Sequence, residues 1–389
     1  MGWSPVIYLD HNATTPVHPE VRRVLSECLD QAWANPSSGY SAARRTRAVI
    51  DGARSAVAGL LGAEPEEIVF TSGGTESVNT AIASAARLHP EKPLVLISTI
   101  EHSACERAAM DASGESNVLR LRVDREGRYD LGHLASILAG EAPRIALASL
   151  MWANNETGVL PGIEAAAELL VEAGVPLHTD AVQAAGKLPV DVRSLPVDFL
   201  SISGHKLFAP KGVGALFVKR GAPLHALIHG GGQEGGRRSG TEPAALAAAL
   251  GAACRLAAGK LAAGELDAVG RRRDRFEQQL LALPGARRNG HPEQRIPNTT
   301  NLRFEGVPAS LALVVLDEFG VCCSSGSACK ARSGQPSHVL LAMGLEEKQA
   351  RESFRFSLSV DTTDAELDRA ARHIAETVER VRAATTAVT

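Results

Sequence analysis

The stretch "EIVFTSGGTESVNTAIASAARL", residues 67–88, holds the three features that decide the fold. Its first six residues are a short apolar run of the kind that forms a buried strand. Two consecutive glycines then break the pattern. From Gly74 onward apolar residues recur at three- and four-residue spacing, which predicts a helix to Leu88. Strand, glycine turn and helix together form the unit from which parallel sheets are built. The turn also has its own chemistry. The first N–H groups of a helix lack acceptors, and the helix dipole adds positive potential, so an anion is favoured there. It is not a Walker loop, because no Gly-Lys-Thr follows.

The same alternation continues outward. "PLVLIS" (93–98), "NVLRLRV" (117–123), "RIALASL" (144–150), "VPLHTD" (175–180), "VDFLSIS" (197–203) and "VGALFVK" (213–219) read as further strands, and "GIEAAAELLVEAG" (162–174) as a helix. Seven strands with interposed helices predict a mostly parallel sheet, which binds its ligand beyond the carboxyl ends of the strands. From about 244 to 283 an Ala- and Leu-rich helical run extends, broken near Gly264. "NLRFEG", "ASLALVVLDEFG", "SFRFSLS" and a last helix from about Asp364 then read as a smaller α+β unit. A chain of 389 residues exceeds one ordinary core. The expected division is a large α/β domain over 16–260 and a small α+β domain made of 1–15 and 261–389. The glycine-rich segment "HGGGQEGGRRSGTEP" (229–243) reads as a linker or as the approach to a helix capped by Thr241.

Composition narrows the partners. A net charge of −3, with 41 basic and 44 acidic residues scattered along the chain, gives no nucleic-acid surface and no polybasic membrane patch. "RRRDR" (271–275) reads as a solvated helix face, and no apolar stretch looks long enough to span a bilayer. "MGWSPVIYLD" has neither the basic and apolar regions of a signal peptide nor the serine or threonine of a myristoylation site. A cytoplasmic location with reduced thiols is expected.

Two strand ends carry the chemistry. Asp180 closes "HTDAVQAAG", and Lys206 follows the next strand in "SISGHKLFAPKGVG", 26 positions later. A carboxylate for a pyridinium nitrogen and a lysine for an aldehyde are what pyridoxal phosphate requires, and "TSGGTES" supplies a place for the phosphate. His102 follows "PLVLIS" and could lie flat on the pyridine ring, while Asn155 in "MWANNETG" is an amide in need of a partner.

With these motifs in order, the chain resembles the class V group of fold-type-I pyridoxal-phosphate enzymes, and within it the cysteine desulfurases. The likeness runs from "YLDHNATTPV" (8–17) to "FRFSLS" (354–359), through "NPSS", "TSGGTES", "EH", "NNETG", "HTDAVQ", "SGHK", "GGGQEGGRRSGTE" and "SSGSAC". "DHNATTP" and "ANNETG" are closer to the nitrogen-fixation type. The resemblance implies that Lys206 carries the cofactor and Asp180 holds the ring nitrogen. It implies that Gln183 bonds the ring hydroxyl, His102 stacks on the ring, and Gly74, Thr75, Ser203 and His205 hold the phosphate. Thr241 is implied to reach the phosphate of a neighbouring subunit, hence a homodimer. Asn155 and Arg355 are implied to position the substrate, L-cysteine, and Cys329 to be the nucleophile. His11, Asn12, Tyr40 and Ala43 depart from common family residues, and none removes a group the chemistry needs.

Three of the six cysteines, Cys322, Cys323 and Cys329, crowd into eight residues. Their spacing is not that of a zinc or cluster site. Cys322 and Cys323 follow "EFGV" at a strand start and read as buried small residues, whereas Cys329 lies among Ser, Gly and basic residues that favour thiolate. The implied reaction takes sulfur from L-cysteine onto Cys329 as a persulfide, releases L-alanine, and passes the sulfur to an acceptor such as an iron–sulfur scaffold protein. A selenocysteine lyase or aminotransferase of the same fold, and a non-catalytic metal-binding scaffold, are the alternatives.

Overall fold

The structure, a computed structural model, describes residues 6–326 and 335–386. The amino-terminal part runs β1 (Ile7–Tyr8), α1 (Pro19–Gln31), α2 (Ser41–Leu61), β2 (Ile68–Thr71), α3 (Gly74–Leu88), β3 (Leu94–Ser98) and α4 (Ser103–Ser113). It continues through β4 (Val118–Leu121), α5 (Leu131–Glu141), β5 (Ile145–Met151), α6 (Ile163–Glu172), β6 (Leu177–Asp180), β7 (Phe199–Ser203) and β8 (Gly214–Val218). Then come α7 (Ala244–Ala262), α8 (Glu265–Leu281), β9 (Ala286–Arg288), β10 (Thr299–Phe304), α9 (Ala309–Glu318) and β11 (Val321–Cys322). The chain closes with α10 (His338–Ala342), α11 (Glu347–Arg351), β12 (Ser353–Ser357) and α12 (Asp364–Thr386).

Seven strands form one sheet in the order β2-β8-β7-β6-β5-β3-β4. The five from β4 to β7 are mutually parallel, and β8 runs antiparallel to both β7 and β2. All seven residues of β5, "IALASLM", are buried, as a strand covered on both faces must be. The chain passes from β3 outward to β4 and then back to β5 on the other side of β3. That reversal opens a crevice at the carboxyl ends of β3 and β5, where open parallel sheets bind ligands.

A second core gathers β9, β10, β12, α8, α9 and α12 around Phe276, Phe304, Phe354 and Phe356. The Phe276 and Phe356 rings meet edge to face at 5.6 Å. Ile7 and Leu9 from the start of the chain are buried in the same core, and β1 pairs in parallel with β11. The amino-terminal segment therefore crosses from this core to the crevice, and it brings residues 10–15 with it.

Three expectations need correction. The helix after the glycine-rich segment starts at Ala244, and its capping position is Pro243 without a side-chain cap, so Thr241 does not cap it. The "RRRDR" run is not one solvated face. Arg273 is buried and donates to the Ile296 and Thr299 carbonyls, tying α8 to β10, while Arg271 and Arg275 face outward. Finally, α7 is long and apolar enough to cross a bilayer by length and composition. Half of it is buried within the fold, where it packs against α1 and α2, so the apolar composition serves a core helix.

Candidate active site

The crevice is a cleft of about 410 Å³ lined by seven separate segments of the chain. The turn between β2 and α3 forms its floor. Gly214 of β8 presses on this turn: a Cβ on Gly214 would lie 2.7 Å from the Gly73 Cα, so only glycine permits the close approach. Gly73 itself has φ +156°, and α3 then begins at Gly74. The amides of Gly74, Thr75 and Glu76 open the helix and point free N–H groups at the cleft. The Glu76 carboxylate is neutralised by Arg238 at 2.9 Å and also accepts the Ser72 N–H at 2.8 Å. Ser203 and His205 line the same end.

Asp180 ends β6, beside Ser201 of β7 in register. One oxygen accepts the Val182 N–H at 2.9 Å, and the carboxylate borders the cleft. Burial pushes its carboxyl above the usual range, while the Val182 amide, His102 and Lys206 pull it back. Across the cleft, His102 caps α4: its Nδ1 accepts the Ala104 N–H at 3.1 Å, so in the neutral ring the proton sits on Nε2. Burial lowers the His102 pKa and Asp180 opposes that shift. The cap fills one ring nitrogen and leaves the ring on the cleft wall.

Lys206 stands at the end of the short helical turn 204–206 that follows β7. Its Nζ donates to the carbonyl oxygens of Asn12 (2.5 Å) and Ala13 (2.7 Å). Gln183 is buried, with Nε2 on the same Asn12 oxygen at 3.0 Å. His205 contacts Thr14 Oγ1 at 3.2 Å, and burial with Lys206 and Lys211 lowers its pKa to about 4.

The "ANNETG" pair divides its labour. Asn154 is fully buried and satisfied within the protein: its oxygen accepts the Glu156 and Thr157 N–H groups, and its amide reaches the Ile100 carbonyl. Asn155 faces the cleft. Arg355, 1% exposed, donates to the Asn155 carbonyl at 3.0 Å and to Asp10 at 2.5 Å, and its buried Nε has no partner among the described residues.

Lys206, Asp180, His102, Gln183, Ser203, His205, Gly74, Thr75, Asn155 and Arg355 thus border one cleft. Thr241 does not: it is exposed, on a segment pinned elsewhere. That segment is no loose linker, since Glu234 pairs with Arg54 at 2.7 Å and accepts the Phe70 N–H at 3.0 Å. Cys329 lies outside the described residues. Cys322 and Cys323 are half-buried rather than fully enclosed, and burial raises both thiols. The residues on either side of 327–334 are held by Arg355 of the cleft and by Glu156 and Glu101, which adjoin the cleft residues Asn155 and His102 in sequence. Ser324 bonds the Arg355 backbone, Ser337 Oγ donates to Glu156, and His338 Nε2 meets the Glu101 carbonyl at 2.9 Å. Asn12, Asp10, Glu101 and Lys187 were not read as site residues from the sequence. Asn12 sits in a quoted motif, but its role depends on the crossing of the amino-terminal segment.

The donor set fits pyridoxal phosphate. A carboxylate open on one side, a helix N-terminus and a lysine amine share the cleft with the His102 and His205 rings, the Asn155 and Gln183 amides and Arg355. Residues 7–370 match the family Aminotransferase class-V. The chain is 43% identical over 382 residues to the cysteine desulfurase NifS of Azotobacter vinelandii, covering 97% of this chain and 93% of that one. A solved NifS-like protein superposes with a TM-score of 0.89 at 31% identity, covering 96% of this chain and all of the other. SspA, solved in complex with cysteine, gives a TM-score of 0.78 at 34% identity over 90% of this chain and 98% of its own. The chain belongs to the class-V aminotransferase family, among its cysteine desulfurases.

Proposed function

We infer that this protein is a pyridoxal-phosphate-dependent cysteine desulfurase that converts L-cysteine to L-alanine and leaves the sulfur on Cys329. The observation that carries the reading is the convergence of Lys206, Asp180, His102 and Arg355 with the α3 amino terminus on one cleft. When bound, pyridoxal phosphate supplies an electron sink for the carbon next to the substrate nitrogen. Lys206 would hold it through Nζ, and the same amine, once displaced by substrate, is placed to take up and return a proton. Asp180 would hold the ring nitrogen, and the amides of Gly74 and Thr75 with Ser203 and His205 would hold the phosphate. His102 would stack on the cofactor ring, and with Nδ1 occupied by the Ala104 amide its neutral ring carries the proton at Nε2. Arg355 and Asn155 would orient the substrate carboxylate.

The sulfur step balances without an outside oxidant. The carbon–sulfur bond of L-cysteine breaks, and a sulfur–sulfur bond to Cys329 forms. The thiol proton of Cys329 is redistributed, and the three-carbon remainder gains a proton to become L-alanine. The persulfide then passes to an acceptor, for which an iron–sulfur scaffold protein is our proposal. We also propose a homodimer in which Thr241 completes the partner's phosphate site, and its exposure on a pinned segment supports that. The free thiols at Cys28, Cys105, Cys254, Cys322 and Cys323 accord with a cytoplasmic location.

The test is to measure alanine and sulfide from L-cysteine in the presence of a thiol reductant. Equal amounts are expected from the natural chain. Cys329→Ser should bind the cofactor and still change colour with cysteine, yet yield no sulfide. Keto acid in place of alanine would overturn the reading in favour of transamination.

A further inference from the structure

Lys187 is a second lysine beside the cleft, and the reaction above does not use it. It follows Gly186 in the turn after β6 and is buried. Gly186 has φ +73°, and a Cβ there would lie 2.4 Å from Leu207, so this turn packs directly on the turn that bears Lys206. The Lys187 amine donates to Asn12 Oδ1 at 3.1 Å and to Gln183 Oε1 at 2.5 Å. Gln183 Nε2 in turn donates to the Asn12 carbonyl, which also receives Lys206 Nζ. Asn12 is held from the second core by Thr299 Oγ1 at 2.8 Å and Asn298 at 3.2 Å. Lys187, Gln183 and Asn12 therefore close a ring of hydrogen bonds beside the cleft, and Lys206 joins it through the Asn12 carbonyl.

The charges around Lys187 share its sign. Lys206 and Arg355 face it, both of them cations, and His11 lies nearby. Among the described residues, its hydrogen-bond partners are amide oxygens and not carboxylates. Burial pushes the amine well below the ordinary lysine range, and the two cations push further in the same direction. In either protonation form the amine has N–H donors for both oxygens.

The consequence falls on Gln183. A side-chain amide can sit either way round. With its oxygen held by Lys187 its nitrogen must face Asn12, and only one of its two hydrogens is used there. The second remains for the cleft. Building on the pyridoxal-phosphate reading of the cleft, we propose that Lys187 is a positioning residue. It fixes the Gln183 amide so that its nitrogen is offered to the ring oxygen of the cofactor, and it holds the Asn12 group on which Lys206 rests.

The test uses the holoenzyme with Lys187→Met and Lys187→Gln. Equilibrium dialysis gives cofactor affinity, the visible spectrum at fixed pH reports the polarity at the ring oxygen, and thermal unfolding reports packing. Lys187→Met should bind pyridoxal phosphate about tenfold more weakly, the loss of one buried hydrogen bond, and show an altered visible band. In a Gln183→Leu background the same change should cost less than about twofold, because the amide it orients is gone. Lys187→Gln keeps an N–H donor group, but on a shorter arm, and should lie between, about threefold weak. If Lys187→Met does not fold, this variant is read alone, and natural affinity with a natural spectrum overturns the proposal. A lower unfolding temperature with unchanged affinity and spectrum in Lys187→Met also overturns it. Failure of the natural chain to bind pyridoxal phosphate would instead defeat the reading of the cleft itself.

Discussion

Asp180 and Glu277 are both carboxylates under cover, and the protein treats them in opposite ways. Glu277, on α8 in the second core, accepts from both terminal nitrogens of Arg295, from Arg288 at 2.8 Å and from Thr300 Oγ1 at 2.5 Å. Burial alone would raise its pKa, but those bonds bring it down to about 2. Asp180 has one backbone donor, and burial leaves its carboxyl raised. Glu101, next to His102, goes further: Ser98 and Met151 bond one oxygen, the other has no partner among the described residues, and burial raises it to about 8. A fully paired carboxylate holds a fold together. An under-satisfied one keeps bonding capacity for something else, which is the mark of a functional site.

Substitutions test this contrast. Lys206→Ala should cut turnover by at least about 10³-fold, because one amine both holds the cofactor and moves the proton, while unfolding stability changes little. Glu277→Ala should do the reverse. Arg295 is left buried with only the exposed Asp274 carboxylate, 3.2 Å away, costing about 3 kcal/mol in denaturant unfolding, with cofactor affinity and turnover of the folded enzyme unchanged. The pH dependence has a definite sign. The folded value of Glu277 is depressed, so its contribution is full above the ordinary 4.5 and is lost as pH falls toward about 2. Acid titrations of stability should lose that part of their slope in Glu277→Ala.

Arg355→Ala sharpens the contrast at the cleft edge. Removal of a carboxylate grip should raise the Michaelis constant for cysteine about 30-fold or more with cofactor content unchanged. An unchanged Michaelis constant with a weaker fold would make Arg355 only the structural partner of Asp10. The smallest effect belongs to Glu101→Gln. A raised folded pKa means that stability is full below 4.5 and lost by the time pH passes about 8. The uncharged amide removes that loss, so the variant should gain on the natural chain by a few degrees of melting temperature between pH 5 and 8.

The sequence exposes the strand ends well. "VPLHTD" and "VDFLSIS" are fixed by local apolar runs, and Asp180 and Lys206 follow from where those runs stop. Residues whose role depends on distant segments are not visible there. Lys187 becomes a buried amine only when Asn12 arrives from the start of the chain, 175 positions away. Glu101 loses its water only when β5 supplies Met151. Thr241 looked like a cap because a hydroxyl precedes a helical run, yet Pro243 sets the start two residues further on. Arg273 looked like its exposed neighbours because helical spacing cannot show that the carbonyls of 296 and 299 lie beneath it.

Borohydride reduction followed by peptide mapping tests the central claim most directly, because two lysines lie at the base of the cleft. Reduction should fix pyridoxal phosphate covalently to Lys206 alone, with Lys187 unmodified in the same digest. A pyridoxyl group on Lys187, on another lysine, or on none would contradict the account.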